Sequence, residues 1–421
     1  MSRNSALLAR ARRVIPGGVN SPVRAFAAVE GDPPFIVSGQ GPHLTDAEGQ
    51  TTLDLVGSWG PLILGHRHPR IEEAVIDAVR RGTTFGAPTE AEIAFAEDIV
   101  AAVPSIEQVR VVSSGTEATM HALRLARGAT GRDGIVKLDG CYHGAHDSVL
   151  VAAGSGVATF ARPGSPGIIA PATLTAPFND LDAVAEHLAS DSVAAVILEP
   201  VAGNMGCIPP APGYLEGLRD LCDVHGTLLI FDEVMTGFRL ALGGAQERFG
   251  VLPDLTCLGK VVGGGMPLAA FGGRTALMQH LSPVGAVYQA GTLSGNPVAV
   301  AAGRAALAIL SAPGIYDRLD GIGDAVDAEI RPHVVRHGLS MSRVGSMFTI
   351  FFRAEAPTRF DQVAGCDLRW FGRFHRACLE RGLTLPCSQY EAAFLNLALT
   401  RDHIDRIGVV VGEALDATKS C

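Results

Sequence analysis

The run VAAVILEP, residues 193–200, constrains the fold of this chain more than any other stretch. Its apolar residues follow one another without alternation, as expected of a strand buried on both faces of a parallel sheet. Helix-patterned GYLEGLRDLCDVHG follows at 213–226, then the apolar runs TLLIFDEV at 227–234 and LTCLGK at 255–260. Upstream, VRVVSS at 109–114 breaks at Gly115 into the helical TEATMHALRLARG, and GIVKLDG at 134–140 reads as another strand. Short β-rich runs alternating with helical stretches predict parallel βαβ units. The rhythm changes beyond 315, where MFTIFF and FLNLALT read as strands and helices are expected over 367–381 and 402–417. The expectation is an α/β protein with three parts. A large domain over 60–314 carries a mostly parallel sheet, a smaller α+β domain covers 315–421, and an N-terminal segment, 1–59, packs with the small domain. At 421 residues the chain is long enough for two lobes.

Composition narrows the function. A net charge of -9, with no basic run, gives no electrostatic basis for binding nucleic acid. No apolar run approaches the ~20 residues of a membrane span, and MSRNSALLARARRVIPGG lacks the apolar core of a signal peptide. Eight cysteines lie scattered at 141, 207, 222, 257, 366, 378, 387 and 421. That spacing predicts reduced thiols and a cytoplasmic protein.

In open parallel sheets, ligands bind beyond the carboxyl ends of the strands. Ser114, Gly115, Thr116, Glu199, Asp232 and Lys260 all fall at such ends. SSGTEA places a glycine turn before a helix, which suits either a phosphate or a simple cap. Asp232 ends an apolar strand and needs a partner: either a structural ion pair, with Arg239 in the same segment, or a protonated ring nitrogen. Lys260 is one of only three lysines, with 137 and 419, in a chain that otherwise uses arginine for positive charge. Among Leu258, Val261 and Val262 it is expected to have a lowered pKa and a nucleophilic amine, or else to extend its ammonium to solvent. Asp254 and Val261 exclude a P-loop around it. Cys141, His143 and His146 match no standard zinc spacing, so no metal is expected. Tyr142 in the same loop could lie flat on an aromatic ligand. A phosphate seat, an aromatic platform, a carboxylate and an amine together suit pyridoxal phosphate.

The motifs SSGTEA, GCYHG, ILEPVAGN, FDEVMTGFR, LGKVVGGGMP and AGTLSGNP occur in the order seen in class III pyridoxal-phosphate aminotransferases. The longer strings NSPVRAF, SWGPLILGH, GCYHGAHD, YQAGTLSGNP and SQYEAAF resemble the branch of that family that isomerises glutamate 1-semialdehyde. The resemblance spans residues 20–394 and implies a fold-type I architecture and a homodimer with active sites at the subunit interface. It implies that Lys260 joins the cofactor and shuttles protons, and that Asp232 holds the pyridine nitrogen protonated. Tyr142 would stack on the ring, Ser114, Gly115 and Thr116 would seat the phosphate, and Asn204, beside Glu199, would contact the ring hydroxyl. Thr292 would reach the phosphate in the neighbouring subunit.

The same resemblance implies that Arg24, with Ser21 beside it, pairs with the substrate carboxylate, for which a guanidinium fork is well shaped. Without it, Arg24 reads as a surface arginine near a proline turn. Glu391 matches an active-site glutamate, and Ser155 lies in a Gly-, Ala- and Ser-rich stretch that matches a gating loop. Ser113 and the segment around Pro386, Cys387 and Tyr390 depart from the family pattern. The implied reaction turns (S)-4-amino-5-oxopentanoate into 5-aminolevulinate by way of 4,5-diaminovalerate, on the route to tetrapyrroles, with pyridoxal or pyridoxamine phosphate as cofactor. The alternative is a class III aminotransferase acting on ω- or β-amino acids.

Overall fold

A computed structural model describes residues 2–29, 31–154, 168 and 170–419. Its centre is a seven-stranded sheet in the order β4-β10-β9-β8-β7-β5-β6. These strands are β4 (Gln108–Val112), β5 (Gly134–Leu138), β6 (Thr173–Ala176), β7 (Val193–Leu198), β8 (Leu228–Glu233), β9 (Leu255–Leu258) and β10 (Ala269–Gly273). Pairings among β6, β5, β7, β8 and β9 are parallel, and β10 runs antiparallel to both β9 and β4. The unalternated sequence of β7 has its physical counterpart here, since all six of its residues are buried. Each of its larger side chains gives about 1.5–3 kcal/mol on leaving water. The expected helices form at Gly115–Thr130 and Tyr214–His225.

Two smaller sheets complete the molecule. One joins β1 (Ile36–Gln40), β2 (His43–Asp46), β3 (Thr51–Asp54) and β13 (Leu383–Thr384). The other joins β11 (Ser340–Val344), β12 (Met347–Phe351) and β14 (Ala393–Phe394). In the first, β3 and β13 pair in parallel with Leu53 opposite Leu383, so the N-terminal segment and the tail share a sheet. FLNLALT differs from its expectation, because only residue 394 of it belongs to a strand. Its backbone donors go to three different places: Phe394 N–H to Leu55 O, Leu395 N–H to Ser346 O and Leu397 N–H to Ile63 O. Apolar content kept the segment buried, but no single neighbouring strand takes its amides. Helices at Leu368–Glu380 and Arg401–Thr418 cover this lobe. No single helix among the described residues is long and apolar enough to cross a membrane.

Lys137 in β5 is fully buried and donates to Val151 O at 2.6 Å. Burial pulls its pKa from 10.5 down to about 8. Between those two values the unfolded chain holds this proton more firmly than the folded one, so stability rises with pH across that window. A Lys137→Met variant lacks this rise. In urea titrations from pH 7.5 to 10.5, the wild type should therefore gain about 3 kcal/mol on the variant. Parallel stability curves would contradict the burial argument.

Candidate active site

The carboxyl ends of β5, β7, β8 and β9 and the turn after β4 converge on one cavity of about 220 Å³. Gly115, Thr116, Tyr142, Glu199, Asn204, Asp232 and Lys260 line it, as do His143, Gly144, Val234 and Met235. Seven of the residues singled out in the sequence are thus brought together from five separate chain segments.

Asp232, the fifth residue of β8, is 3% exposed. Its Oδ2 accepts from His143 Nδ1 at 2.7 Å, and its Oδ1 accepts from Val234 N–H at 3.1 Å. Arg239 is therefore not its ion-pair partner; that guanidinium bonds to Ser346, Leu395 and Gly60 instead. In the sequence alone, His143 reads only as a candidate metal ligand. The signal that could have found it is the buried aspartate itself, which needs a donor, together with the adjacency of His143 to Tyr142. Thr119 Oγ1 donates to His143 O at 2.5 Å, fixing the loop that carries both residues. The other ring nitrogen, Nε2, is buried with no partner among the described residues.

Helix Gly115–Thr130 starts at the cavity, with Ser114 Oγ accepting from Glu117 N–H at 3.2 Å. Ser114 is thus the cap, and Gly115 and Thr116 are the first-turn residues that line the cavity. Unbonded first-turn amides and the helix dipole suit an anion there. The departure at Ser113 costs nothing visible: its N–H donates to Glu117 Oε2 at 2.7 Å. Thr116 Oγ1 accepts from Ala145 N–H at 3.2 Å. A Cβ on Gly144, which has φ +98°, would stand 2.7 Å from both Thr116 Cα and Thr116 Oγ1. A Cβ on Gly115 or on Gly259 would come within 3.0 Å of Val234 Cγ1.

Glu199 follows β7 and is 2% exposed. Its Oε1 accepts from Tyr142 N–H at 2.8 Å; its Oε2 accepts from Gly203 N–H at 2.8 Å and Asn204 Nδ2 at 3.0 Å. Burial raises its pKa, while His143 and the Tyr142 and Gly203 amides act the other way. Its observed work is to fix Tyr142 and Asn204.

Lys260 follows β9 with φ +49°, a left-handed conformation unusual for a side-chain-bearing residue. Such backbone strain persists where the surroundings impose it and concentrates at functional sites. Lys260 is partly exposed through the cavity it lines, yet enough protein surrounds its amine that desolvation lowers its pKa. Glu391, Glu199 and Asp232 act against that shift, and Arg239 reinforces it.

Other predicted residues lie outside the cavity wall. Glu391 is 6% exposed, and its charge faces Lys260 and Tyr142. Its loop is tied to the Asn204 loop, since Gly206 N–H donates to Tyr390 O at 3.0 Å. Arg24 is exposed on a short 3-10 helix, Pro22–Ala25, and Ser21 just precedes it. Cys387 Sγ donates to Val23 O at 3.0 Å, so the departure at Cys387 joins the Arg24 segment to the Glu391 loop. Thr292 is exposed on a surface loop. Ser155 lies outside the described residues. Among the described residues no cluster of histidine, cysteine and carboxylate side chains could hold a metal ion, and seven cysteines are free and buried.

The profile of the class-III aminotransferase family matches residues 26–407, and the chain belongs to that family. A fold-type I architecture, with its mostly parallel central sheet, is the one this family shares. More particularly, the chain is 53% identical over 412 residues to glutamate-1-semialdehyde 2,1-aminomutase of Desulfatibacillum aliphaticivorans, covering 96% of this chain and 97% of that one. Among solved structures, an omega-transaminase from Sphaerobacter thermophilus superposes with a TM-score of 0.91 at 34% identity, covering 100% of this chain and 98% of that one. A glutamate-1-semialdehyde-aminomutase from Pseudomonas aeruginosa PAO1 gives a TM-score of 0.87 at 27% identity, covering 98% and 94%. A lysine-to-alanine form of the latter has been solved in complex with PMP.

Proposed function

We propose that this chain isomerises glutamate 1-semialdehyde to 5-aminolevulinate with pyridoxal phosphate, alternating with pyridoxamine phosphate, as its cofactor. The observation that carries the reaction is the 53% identity, over nearly the whole chain, to an aminomutase of that name. The cavity suits the cofactor on its own chemistry. It offers a helix N-terminus and the Thr116 hydroxyl for a phosphate, a buried carboxylate for a protonated ring nitrogen, and an amine for an aldehyde. When bound, the cofactor supplies an electron sink and a carrier for the amino group.

The chain's own residues do the rest. Lys260, whose amine loses its proton more readily because desolvation lowers its pKa, takes a proton from one carbon of the substrate and returns it to the other. Asp232, oriented by His143, presents negative charge at the cavity floor. Glu199 holds Asn204 in place for the ring hydroxyl, and Tyr142 offers its ring face. Arg24 and Ser21 take the substrate carboxylate, while Glu391 adds a carboxylate beside Lys260. Ser155, outside the described residues, belongs to the stretch assigned to gating. A diamine formed midway is small enough to escape, and gating segments serve to retain such species.

The protein acts as a cytoplasmic homodimer, with Thr292 contacting the cofactor phosphate of the partner. Support for a covered face comes from exposed apolar residues in the segment that carries Thr292, Tyr288 at 69% and Leu293 at 53% exposure, and from Phe85 at 53% in the segment that Asn296 Nδ2 holds through Thr83 O at 2.8 Å.

The test is to incubate purified protein with the semialdehyde and no amino donor, and to measure 5-aminolevulinate. Product formation without a donor supports the reading; strict dependence on an added amino acid or keto acid overturns it. That second outcome favours an ω- or β-amino acid aminotransferase, the reading consistent with the 34% identical omega-transaminase.

Gly144 gives a separate prediction. A methyl group there meets Thr116 at 2.7 Å, which displaces the hydroxyl from the anion seat. Gly144→Ala should weaken cofactor retention about tenfold, the equivalent of one lost hydrogen bond to a charged group, measured by equilibrium dialysis of the cofactor. Unchanged retention would remove Thr116 from the phosphate seat.

A further inference from the structure

The FDEVMTGFR segment ends in a buried cation to which the reaction above gives no part. Arg239 is 1% exposed, and among the described residues its bonds go only to neutral oxygens. Nη1 donates to Ser346 Oγ at 3.0 Å and Leu395 O at 3.1 Å, and Nη2 donates to Gly60 O. Its Nε has no partner among the described residues, and its Cζ lies 5.0 Å from the centre of the Phe394 ring. Burial lowers its pKa to about 9, which still leaves it charged at neutral pH. A buried cation without a carboxylate is costly, and an apolar residue of similar size is often the more stable choice. Its charge therefore calls for a use.

The position of Arg239 supplies one. A Cβ built on Gly60 would stand 3.3 Å from Phe394 Cε1 and 3.4 Å from Lys260 Cδ. Gly60, Phe394 and the Lys260 stem thus meet at one point, and Arg239 holds the first two from behind. Four charged groups act on the lysine amine: Glu391 from the loop before β14, Glu199 after β7, Asp232 at the end of β8, and Arg239. Three are carboxylates that favour the ammonium. Arg239 is the cation that opposes them.

We propose that Arg239 is a positioning residue for Lys260, fixing Gly60 and Phe394 against the lysine stem and offsetting the three carboxylates with its charge. The inference deepens the reading of Lys260 as the reacting amine and rests on it. A neighbouring cation is an established way to keep a reactive lysine neutral. In this fold it comes from the loop after β8 and is held by the backbone carbonyls of Leu395 in the small lobe and Gly60 in the large domain.

The test uses holoenzyme in the pyridoxamine phosphate form, which leaves Lys260 unmodified. A small acylating reagent is applied over a pH series, and labelling of Lys260 is followed by peptide mass spectrometry. Arg239→Met should move the labelling midpoint up by about one pH unit, which is about tenfold slower labelling near pH 7.5. Arg239→Lys, which keeps the charge, should stay within about threefold of wild type. Should Arg239→Met fail to fold, Arg239→Gln takes its place in the comparison. Unchanged labelling in the neutral variant, or equal slowing in the neutral and lysine variants, overturns the proposal. The underlying reading fails differently: a wild-type protein that never takes up the chromophore, or whose Lys260 labels equally with the aldehyde and amine forms bound.

Discussion

Replacing Lys260 with alanine should reduce 5-aminolevulinate formation by about 10⁴-fold, the upper range for loss of a positioned proton-transfer group. The position is built for an amine. It follows β9 after a single glycine, lines the cavity, holds a left-handed backbone, and sits where desolvation lowers its pKa. An arginine there would stay charged and could not exchange a proton. The measurement is single-turnover product formation together with a visible spectrum, which reports whether cofactor still binds. A variant that keeps cofactor but loses turnover supports the assignment. A loss smaller than about tenfold would refute it, because a proton-transfer group is worth at least ~10².

Asp232→Asn is the second large effect expected, a loss of about 10³-fold in kcat, comparable to removing a principal electrostatic group from an active site. The substitution keeps the shape and removes the charge. It also changes what His143 Nδ1 meets at 2.7 Å. The partner substitution His143→Gln should cost less, about 10–100-fold, because Asp232 keeps its charge and the Val234 N–H at 3.1 Å. If the two substitutions cost the same, the aspartate acts only through its geometry. Cofactor content is measured alongside activity in both variants, since lost binding and lost chemistry give different spectra.

The two substitutions also mark where sequence reasoning stopped. Lys260 and Asp232 could be read as residues of unusual cost: a lone lysine in an apolar setting and a carboxylate ending an apolar strand. His143 could not be assigned that way. Its loop follows β5, Asp232 is the last residue but one of β8, and β7 lies between those strands in the sheet. Nothing in the spacing of 143 and 232 states that order. Nearness in sequence makes Arg239 a candidate partner for Asp232, and the chain instead turns it toward Gly60 and Leu395. Sequence nearness misled because the segment after β8 turns away from the strand end within a few residues.

The small lobe shows the same boundary. The helices at 368–380 and 401–418 carry a periodic apolar face that can be counted from the residues. FLNLALT has strand composition, yet its amides bond to three different partners, so composition alone could not tell burial from pairing. The departure at Cys387 has a consequence visible only in three dimensions, a hydrogen bond to Val23 O that joins two loops far apart in the chain.

By itself the sequence determined five strands of the central sheet, the helices at 115–130 and 214–225, and the polar residues left at the strand ends, because those follow from local apolar period and from the cost of burying a charge. Tertiary structure alone decided which strand ends became neighbours, which donor met Asp232, and which buried cation came to stand behind Lys260. Those contacts depend on sheet order and on loops returning from distant segments, and no local property of a residue encodes its distance from a partner across the sheet.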